Sequence, residues 1–244
     1  VLAKGETKIS NAAREPEIED LSNCLIKMGA KIEGHGTKTI LVQGVTNLKK
    51  AEHEIIADRI VAGTYIIAAL MLNSTLEINN FNTIYLKSLI DILKKMGAKL
   101  KVSKNSIKVS KGSKLKSTSL STSPYPGFPT DLQAQLMSLM CISDGKSKIK
   151  ETIFENRFMH VPELNRLGAN ITVEKDTATI IGNQTFKGAQ VMASDLRASI
   201  SLVLAAMNAN GQTTLNRVYH LDRGYENIEK TLGSLGAKIK RQKN

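Results

Sequence analysis

Five arginines stand at comparable places in a chain that otherwise prefers lysine: Arg14 in "NAAREPE", Arg59 in "ADRI", Arg157 in "ENRF", Arg197 in "DLRA" and Arg223 in "LDRG". The sequence holds 26 Lys and only 8 Arg. Arginine is therefore expected where lysine would not serve, at a planar two-pronged contact with a carboxylate or phosphate. Most of the five lie beside an acidic residue at a strand-to-helix junction or a helix start, where free N–H groups and the helix dipole also favour anions. Gathered at one end of a pseudo-symmetric domain, they would form an anion pocket. The plainer alternative is that each arginine clamps its acidic neighbour. Asp131, in "PYPGFPTDLQAQ", follows a sharply turned Pro-rich loop. It reads as an N-cap, and beside an arginine-lined site it could also accept a proton from a substrate hydroxyl.

An internal repeat must position these residues. "IKMGAKIEG", "KKMGAKLKV", "NRLGANITV" and "GSLGAKIKR" place Gly29, Gly97, Gly168 and Gly236 roughly 70 residues apart, a period that marks duplicated subdomains. A helical pattern precedes each glycine, and before it comes a turn and a strand ("ETKISNA", "STLEINNF", "SKIKETIF", "QTTLNRVY"). Three units also carry a helix led by Asp58, Asp131 or Asp195 and apolar nearly all round, as expected of a helix buried on most sides. After Gly97, "KLKV" and "SIKV" alternate with lysine, the pattern of a hairpin with one wet face. Each unit thus reads helix, strand, helix, hairpin. The predicted fold is α/β, an inside-out barrel of repeated units with helices buried and sheets facing solvent. The first unit lacks its Asp-led helix and the repeat phase breaks near "LKKAEHEIIADRI". The expectation is an incomplete two-domain protein: residues 1–56 end a first domain, and residues 57–244 form most of a second.

Composition narrows the class. The net charge of +12 comes mostly from dispersed lysines, and aromatic residues make up only 4%. A nucleic-acid surface would need aromatics interleaved for stacking, so nucleic acid is not an expected partner, although the charge favours anionic ligands. The start "VLAKGETKISNAAREPE" has no apolar leader segment, and the longest apolar run, residues 65–72, is too short for a bilayer. A cytoplasmic protein with no membrane partner is expected. Cys24 and Cys141 lie in apolar helical stretches and read as buried thiols, and the four histidines show no metal-ligand spacing.

The motifs "FPTDLQAQ", "ETIFENRFMHVPEL", "GAQVMASDLRAS", "YHLDRGYENIEKTLGSLGAKI" and "NAAREPEIEDL" resemble the UDP-N-acetylglucosamine branch of the enolpyruvyl transferase (EPSP synthase-like) family, from end to end of the chain. The resemblance implies two inside-out α/β domains of three repeats each. It also implies transfer of the enolpyruvyl group of phosphoenolpyruvate to the 3-hydroxyl of UDP-N-acetylglucosamine, with release of phosphate, as the first committed step of peptidoglycan synthesis. The chemistry would run by addition and elimination through a tetrahedral intermediate, without metal or cofactor. By this likeness Asp131 would bind the sugar and take its 3-hydroxyl proton. Ile153, with Phe154 beside it, would touch the nucleotide sugar, Ile153 mainly through its backbone. Arg157, Arg197 and Arg223 would hold the charged groups of phosphoenolpyruvate. Asp195 would join Asp131 and Arg197 in the catalytic set, and Asp58, Arg59 and Glu15 would belong to the cleft.

The chain departs from that family in places. A flexible loop bearing Cys or Asp, an early Lys-Asn pair and further first-domain arginines have no counterpart here, and neither Cys24 nor Cys141 matches the loop. Ala57 and Val61 stand where the family usually has Pro and Glu. The expected partner is therefore a missing N-terminal part of the same polypeptide, with little or no turnover by this chain alone. Rival expectations are a shikimate-pathway enolpyruvyl transferase, a basic nucleic-acid-binding repeat module, and a pseudoenzyme that binds the UDP-sugar without turnover.

Overall fold

The structure, a computed structural model, describes residues 1–242. The chain divides into two compact units, Val1–Asp58 with Pro124–Gly127 and Arg59–Ser123 with Phe128–Asn244.

The first unit contains β1 (Glu6–Ser10), α1 (Pro16–Lys27), β2 (Lys31–Glu33) and β3 (Thr39–Gln43). Its antiparallel sheet runs β1-β3-β2. Helix α1 starts with Pro16 in its first turn, carries Glu17 and Glu19 there, and ends at Lys27, charges that complement the helix dipole.

The second unit repeats this pattern with an added inner helix. Its first repeat has α2 (Arg59–Met71), β4 (Leu76–Asn79), α3 (Lys87–Lys95), β5 (Leu100–Val102) and β6 (Ser106–Val109). The second has β7 (Leu120–Ser121), α4 (Gln133–Ile142), β8 (Lys146–Lys150), α5 (Val161–Arg166), β9 (Asn170–Glu174) and β10 (Thr177–Ile181). The third has β11 (Gln190–Met192), α6 (Leu196–Asn208), β12 (Thr214–Asn216) and α7 (Ile228–Ser234). The sheet orders β4-β6-β5 and β8-β10-β9 match β1-β3-β2. In each, the strand before the outer helix pairs with the last strand of the hairpin.

The recurrent Gly-Ala has a common geometry. Gly29, Gly97, Gly168 and Gly236 all have φ of 97–100°, which glycine adopts without Cβ strain. The N–H of each following alanine returns to a carbonyl five residues back: Ala30 to Leu25, Ala98 to Leu93, Ala169 to Leu164 and Ala237 to Leu232. This is the Schellman closure of a helix end.

Burial follows the periodicities. In α2 every residue but Val61 and Tyr65 is buried, and in α4 every residue but Ile142. Outer helix α3 buries only Leu89, Ile90 and Leu93, and β8 alternates buried and exposed. The inner helices pack closely: a Cβ on Gly63 would lie 2.8 Å from Leu132 Cδ1, so glycine lets α2 approach the turn that carries Asp131. No described helix is long and apolar enough to cross a membrane.

Three expectations change. Short strands β7 and β11 precede inner helices α4 and α6 and pair in parallel with β8 and β12; two- and three-residue strands leave no periodic signal. No strand follows Gly236 among the described residues, although the repeat predicts a hairpin there. Cys24 is half-buried rather than buried, whereas Cys141 is fully enclosed. Helix α1 is amphipathic, with Leu21 and Ile26 exposed, so position in an apolar stretch did not fix which side of it faces inward.

Candidate active site

Asp131 lies in a 3-10 turn, Thr130–Leu132, that Pro129 leads into α4. Its carboxylate caps no helix. Oδ1 accepts from Arg157 Nη2 at 2.9 Å and Oδ2 from Arg197 Nη2 at 3.0 Å. The N-cap reading of Asp131 is thus corrected: two guanidiniums attract a half-exposed carboxylate more strongly than helix amides do. Its backbone is held as well. Gln135 Nε2 donates to the Asp131 carbonyl at 2.9 Å and reaches Thr64 Oγ1 at 3.2 Å, which meets Tyr225 Oη at 2.8 Å. This buried chain ties α4, α2 and the "DRGYE" segment together behind the turn.

The two arginines come from different repeats. Arg157 follows β8 on an irregular loop, immediately after Asn156 at φ 53°, a left-handed conformation that asparagine tolerates. Arg197 is the second residue of α6, and Asp195 caps that helix by accepting from the N–H groups of Arg197 at 2.8 Å and Ala198 at 3.0 Å. Asp195 therefore sets the backbone from which Arg197 reaches Asp131. The clamp alternative is corrected in part: Arg157 and Arg197 bind a carboxylate 26 and 66 residues distant.

Ile153 and Phe154 share the loop with Arg157. Phe154 is 57% exposed, and the Arg157 guanidinium lies 5.4 Å from its ring centroid. This loop lines an open groove of about 950 Å³, together with Val173, Lys175 and Asp176. A flat aromatic face beside a guanidinium suits a planar, polar ligand.

Arg223 ends a 3-10 turn, Val218–Arg223, that packs on α6; it is exposed and forms no ion pair among the described residues. A Cβ on the next residue, Gly224, would meet Leu196 Cδ2 at 2.9 Å, so the turn sits close to the start of α6. Arg59 is buried as the first residue of α2. Asp58 and Glu15 belong to the first unit, Asp58 exposed and Glu15 preceding α1 with no side-chain cap.

Two site residues escaped sequence reasoning. His160 is buried, and burial lowers its pKa to about 4, with Asp195 opposing the shift and Arg157 reinforcing it. The neutral ring thus lies within electrostatic reach of both Asp195 and Arg157. Glu151 is buried at the end of β8, with its carboxylate turned toward the Thr130 and Ile153 segments. A charged residue following an alternating strand was its only sequence signal.

Two guanidiniums that grip a carboxylate at the start of an inner helix can exchange it for a phosphate or carboxylate ligand, leaving that carboxylate to accept a proton from a neighbouring hydroxyl. The repeated α/β architecture around it is that of enolpyruvyl transferases. The enolpyruvyl transferase NikO from Streptomyces tendae superposes with a TM-score of 0.89 at 28% identity, over 98% of this chain and 57% of that one. EPSP synthase from Acinetobacter baumannii shares the fold at a TM-score of 0.76 and 17% identity, over 99% of this chain and 59% of that one.

The chain belongs to the EPSP synthase (3-phosphoshikimate 1-carboxyvinyltransferase) family, which it matches over residues 1–232. Among curated relatives, a Pelagibacter ubique protein named UDP-N-acetylglucosamine 1-carboxyvinyltransferase is 53% identical over 240 residues, 98% of this chain and 58% of that protein. One of the same name from Azorhizobium caulinodans is 54% identical over 241 residues, 98% of this chain and 56% of that protein. The chain spans a little over half the length of the curated relatives it matches.

Proposed function

We propose that this chain forms the end of the first domain (residues 1–56) and most of the second (residues 57–244) of a UDP-N-acetylglucosamine 1-carboxyvinyltransferase. The remaining N-terminal part of that polypeptide is its partner. The enzyme would transfer the enolpyruvyl group of phosphoenolpyruvate to the 3-hydroxyl of UDP-N-acetylglucosamine in the cytoplasm, for peptidoglycan synthesis. The observation that carries this reading is the Asp131 carboxylate held between Arg157 and Arg197. The relatives' names support UDP-N-acetylglucosamine as the acceptor.

In this reading phosphoenolpyruvate draws the two guanidiniums toward its own negative groups and frees Asp131. The sugar O3–H bond breaks, its proton passes to Asp131, and O3 bonds to C2 of phosphoenolpyruvate as the C2=C3 π pair takes a proton onto C3 from a donor outside this chain. The tetrahedral intermediate then passes a C3 proton to that donor's conjugate base, and the C–H pair re-forms C2=C3. The C2–O bond to phosphate breaks, and phosphate leaves with its electron pair. Arg157, Arg197 and Arg223 stabilise the charge that moves onto phosphate, where preorganised donors act most strongly. Ile153 and Phe154 meet the nucleotide sugar, and Asp195 holds Arg197.

The test is phosphate release from phosphoenolpyruvate, with UDP-N-acetylglucosamine, with shikimate 3-phosphate, or with neither. It is run on this chain alone and on this chain preceded by the N-terminal part that its relatives carry. Release that requires UDP-N-acetylglucosamine in the extended protein is expected. Release driven by shikimate 3-phosphate instead would reassign the acceptor.

A further inference from the structure

Glu151 is 4% exposed and takes no part in the chemistry above. Its Oε1 accepts from Thr122 Oγ1 at 2.8 Å and from the N–H groups of Ile153 and Phe154 at 2.9 and 3.3 Å; its Oε2 accepts from Thr130 Oγ1 at 2.9 Å. Thr122 is locked in turn: its Oγ1 accepts from the Thr152 N–H at 2.9 Å, and its carbonyl accepts from Thr152 Oγ1 at 2.6 Å. The Glu151 backbone N–H is fixed by the Asp176 carbonyl at 2.7 Å.

Burying a carboxylate is costly unless donors surround it, and an apolar side chain would fill the same space without that cost. What the carboxylate adds is direction. Its two oxygens bind two segments at once. One segment ends in Thr130, directly before Asp131, and the other begins at Ile153, four residues before Arg157. The Asp131–Arg157 contact of 2.9 Å thus spans two segments that share a single buried anchor.

We propose that Glu151 is a positioning residue: by binding Thr130 Oγ1 with one oxygen and the Ile153 and Phe154 amides with the other, it sets Asp131 against Arg157 in the geometry that catalysis requires. The inference rests on the function proposed above for its kinetic consequence, but its structural content does not.

The experiment compares Glu151→Ala, Glu151→Gln and Thr130→Val in the chain extended by the N-terminal part of its relatives. The glutamine oxygen can take the three donors of Oε1, and its NH2 can face a Thr130 hydroxyl that rotates to accept. Glu151→Ala is expected to lower kcat/KM for UDP-N-acetylglucosamine by about 10- to 100-fold, the scale of a small misplacement of catalytic groups. Glu151→Gln should restore activity to within a few-fold, and Thr130→Val should give a smaller loss in the same direction. In parallel, the guanidinium NMR signal of Arg157, slowed by its pair with Asp131, should be lost in Glu151→Ala and kept in Glu151→Gln. Unchanged kinetics and an unchanged Arg157 signal in a folded Glu151→Ala variant would overturn the proposal, as would Gln failing as badly as Ala. If Glu151→Ala does not fold, the Gln and Val variants decide by the same two readouts. Should the wild-type extended protein release no phosphate with UDP-N-acetylglucosamine, the proposed function falls, and the Arg157 signal alone still decides the role of Glu151.

Discussion

The Asp131→Asn substitution separates chemistry from scaffolding most sharply. Asparagine is nearly isosteric, and its oxygen can still accept from one guanidinium, but its NH2 then meets the other, donor against donor. Both ion pairs lose their anion, and at most one hydrogen bond to a guanidinium remains. The Asp131 side chain is 40% exposed, against 23% for Arg157 and 18% for Arg197. Solvent therefore screens both pairs, and their joint loss should cost about 1 kcal/mol, from contributions of a few tenths to about 1 kcal/mol for each exposed pair. For a unit of this size that is a melting-temperature fall of about 2–4 °C. If Asp131 accepts the 3-hydroxyl proton, turnover should fall by about 10²–10⁴-fold. The assay is phosphate release by the extended protein, with the melting temperature measured on the same preparation. A fall of more than about 10 °C with turnover largely retained would refute the reasoning and make Asp131 a structural residue.

The remaining predictions concern burial. The folded His160 ring stays neutral down to about pH 4, whereas the unfolded ring binds a proton near pH 6.5. The unfolded state therefore takes up more protons in that window, and stability should drop by roughly 3 kcal/mol as pH falls from about 6.5 to about 4. Urea midpoints across this range should show the loss, and His160→Asn should flatten it. Burial pushes the Cys141 thiol up to about 12, so at pH 8 it should react with a thiol reagent only as fast as the fold opens, while half-buried Cys24 reacts in the native state. Leu136, fully enclosed in α4, should cost about 2–5 kcal/mol on truncation to Ala. Leu235→Ala, at 55% exposure, should stay within about 0.5 kcal/mol in denaturant titrations.

Much of the fold was legible because its signals are local. The Leu-Gly-Ala helix ends mark the repeats, since a left-handed glycine and the following alanine close a helix with groups only five residues apart. Nearly unbroken apolar stretches identify α2, α4 and α6 as inner helices, and alternating lysine identifies the β5–β6 hairpin. Strands β7 and β11 were not legible, because two or three residues are too few to show an alternating pattern.

The sharpest contrast is between two segments that look alike. "TDLQAQ" and "SDLRAS" carry Asp-Leu-x-Ala in the same frame at the start of an inner helix, and local chemistry predicts a cap in both. Asp195 does cap α6. Asp131, led into its turn by Pro129, instead turns its carboxylate to Arg157 of its own repeat and Arg197 of the next. Residue type and spacing alone determined which helices are buried, where each repeat closes, and that arginine-rich junctions would favour an anion. The tertiary structure decided which carboxylate Arg157 and Arg197 hold, and that buried Glu151 anchors the loop that brings Arg157 there. A guanidinium's partner depends on which charges folding brings within 3 Å, and those charges are 26 and 66 residues apart along the chain.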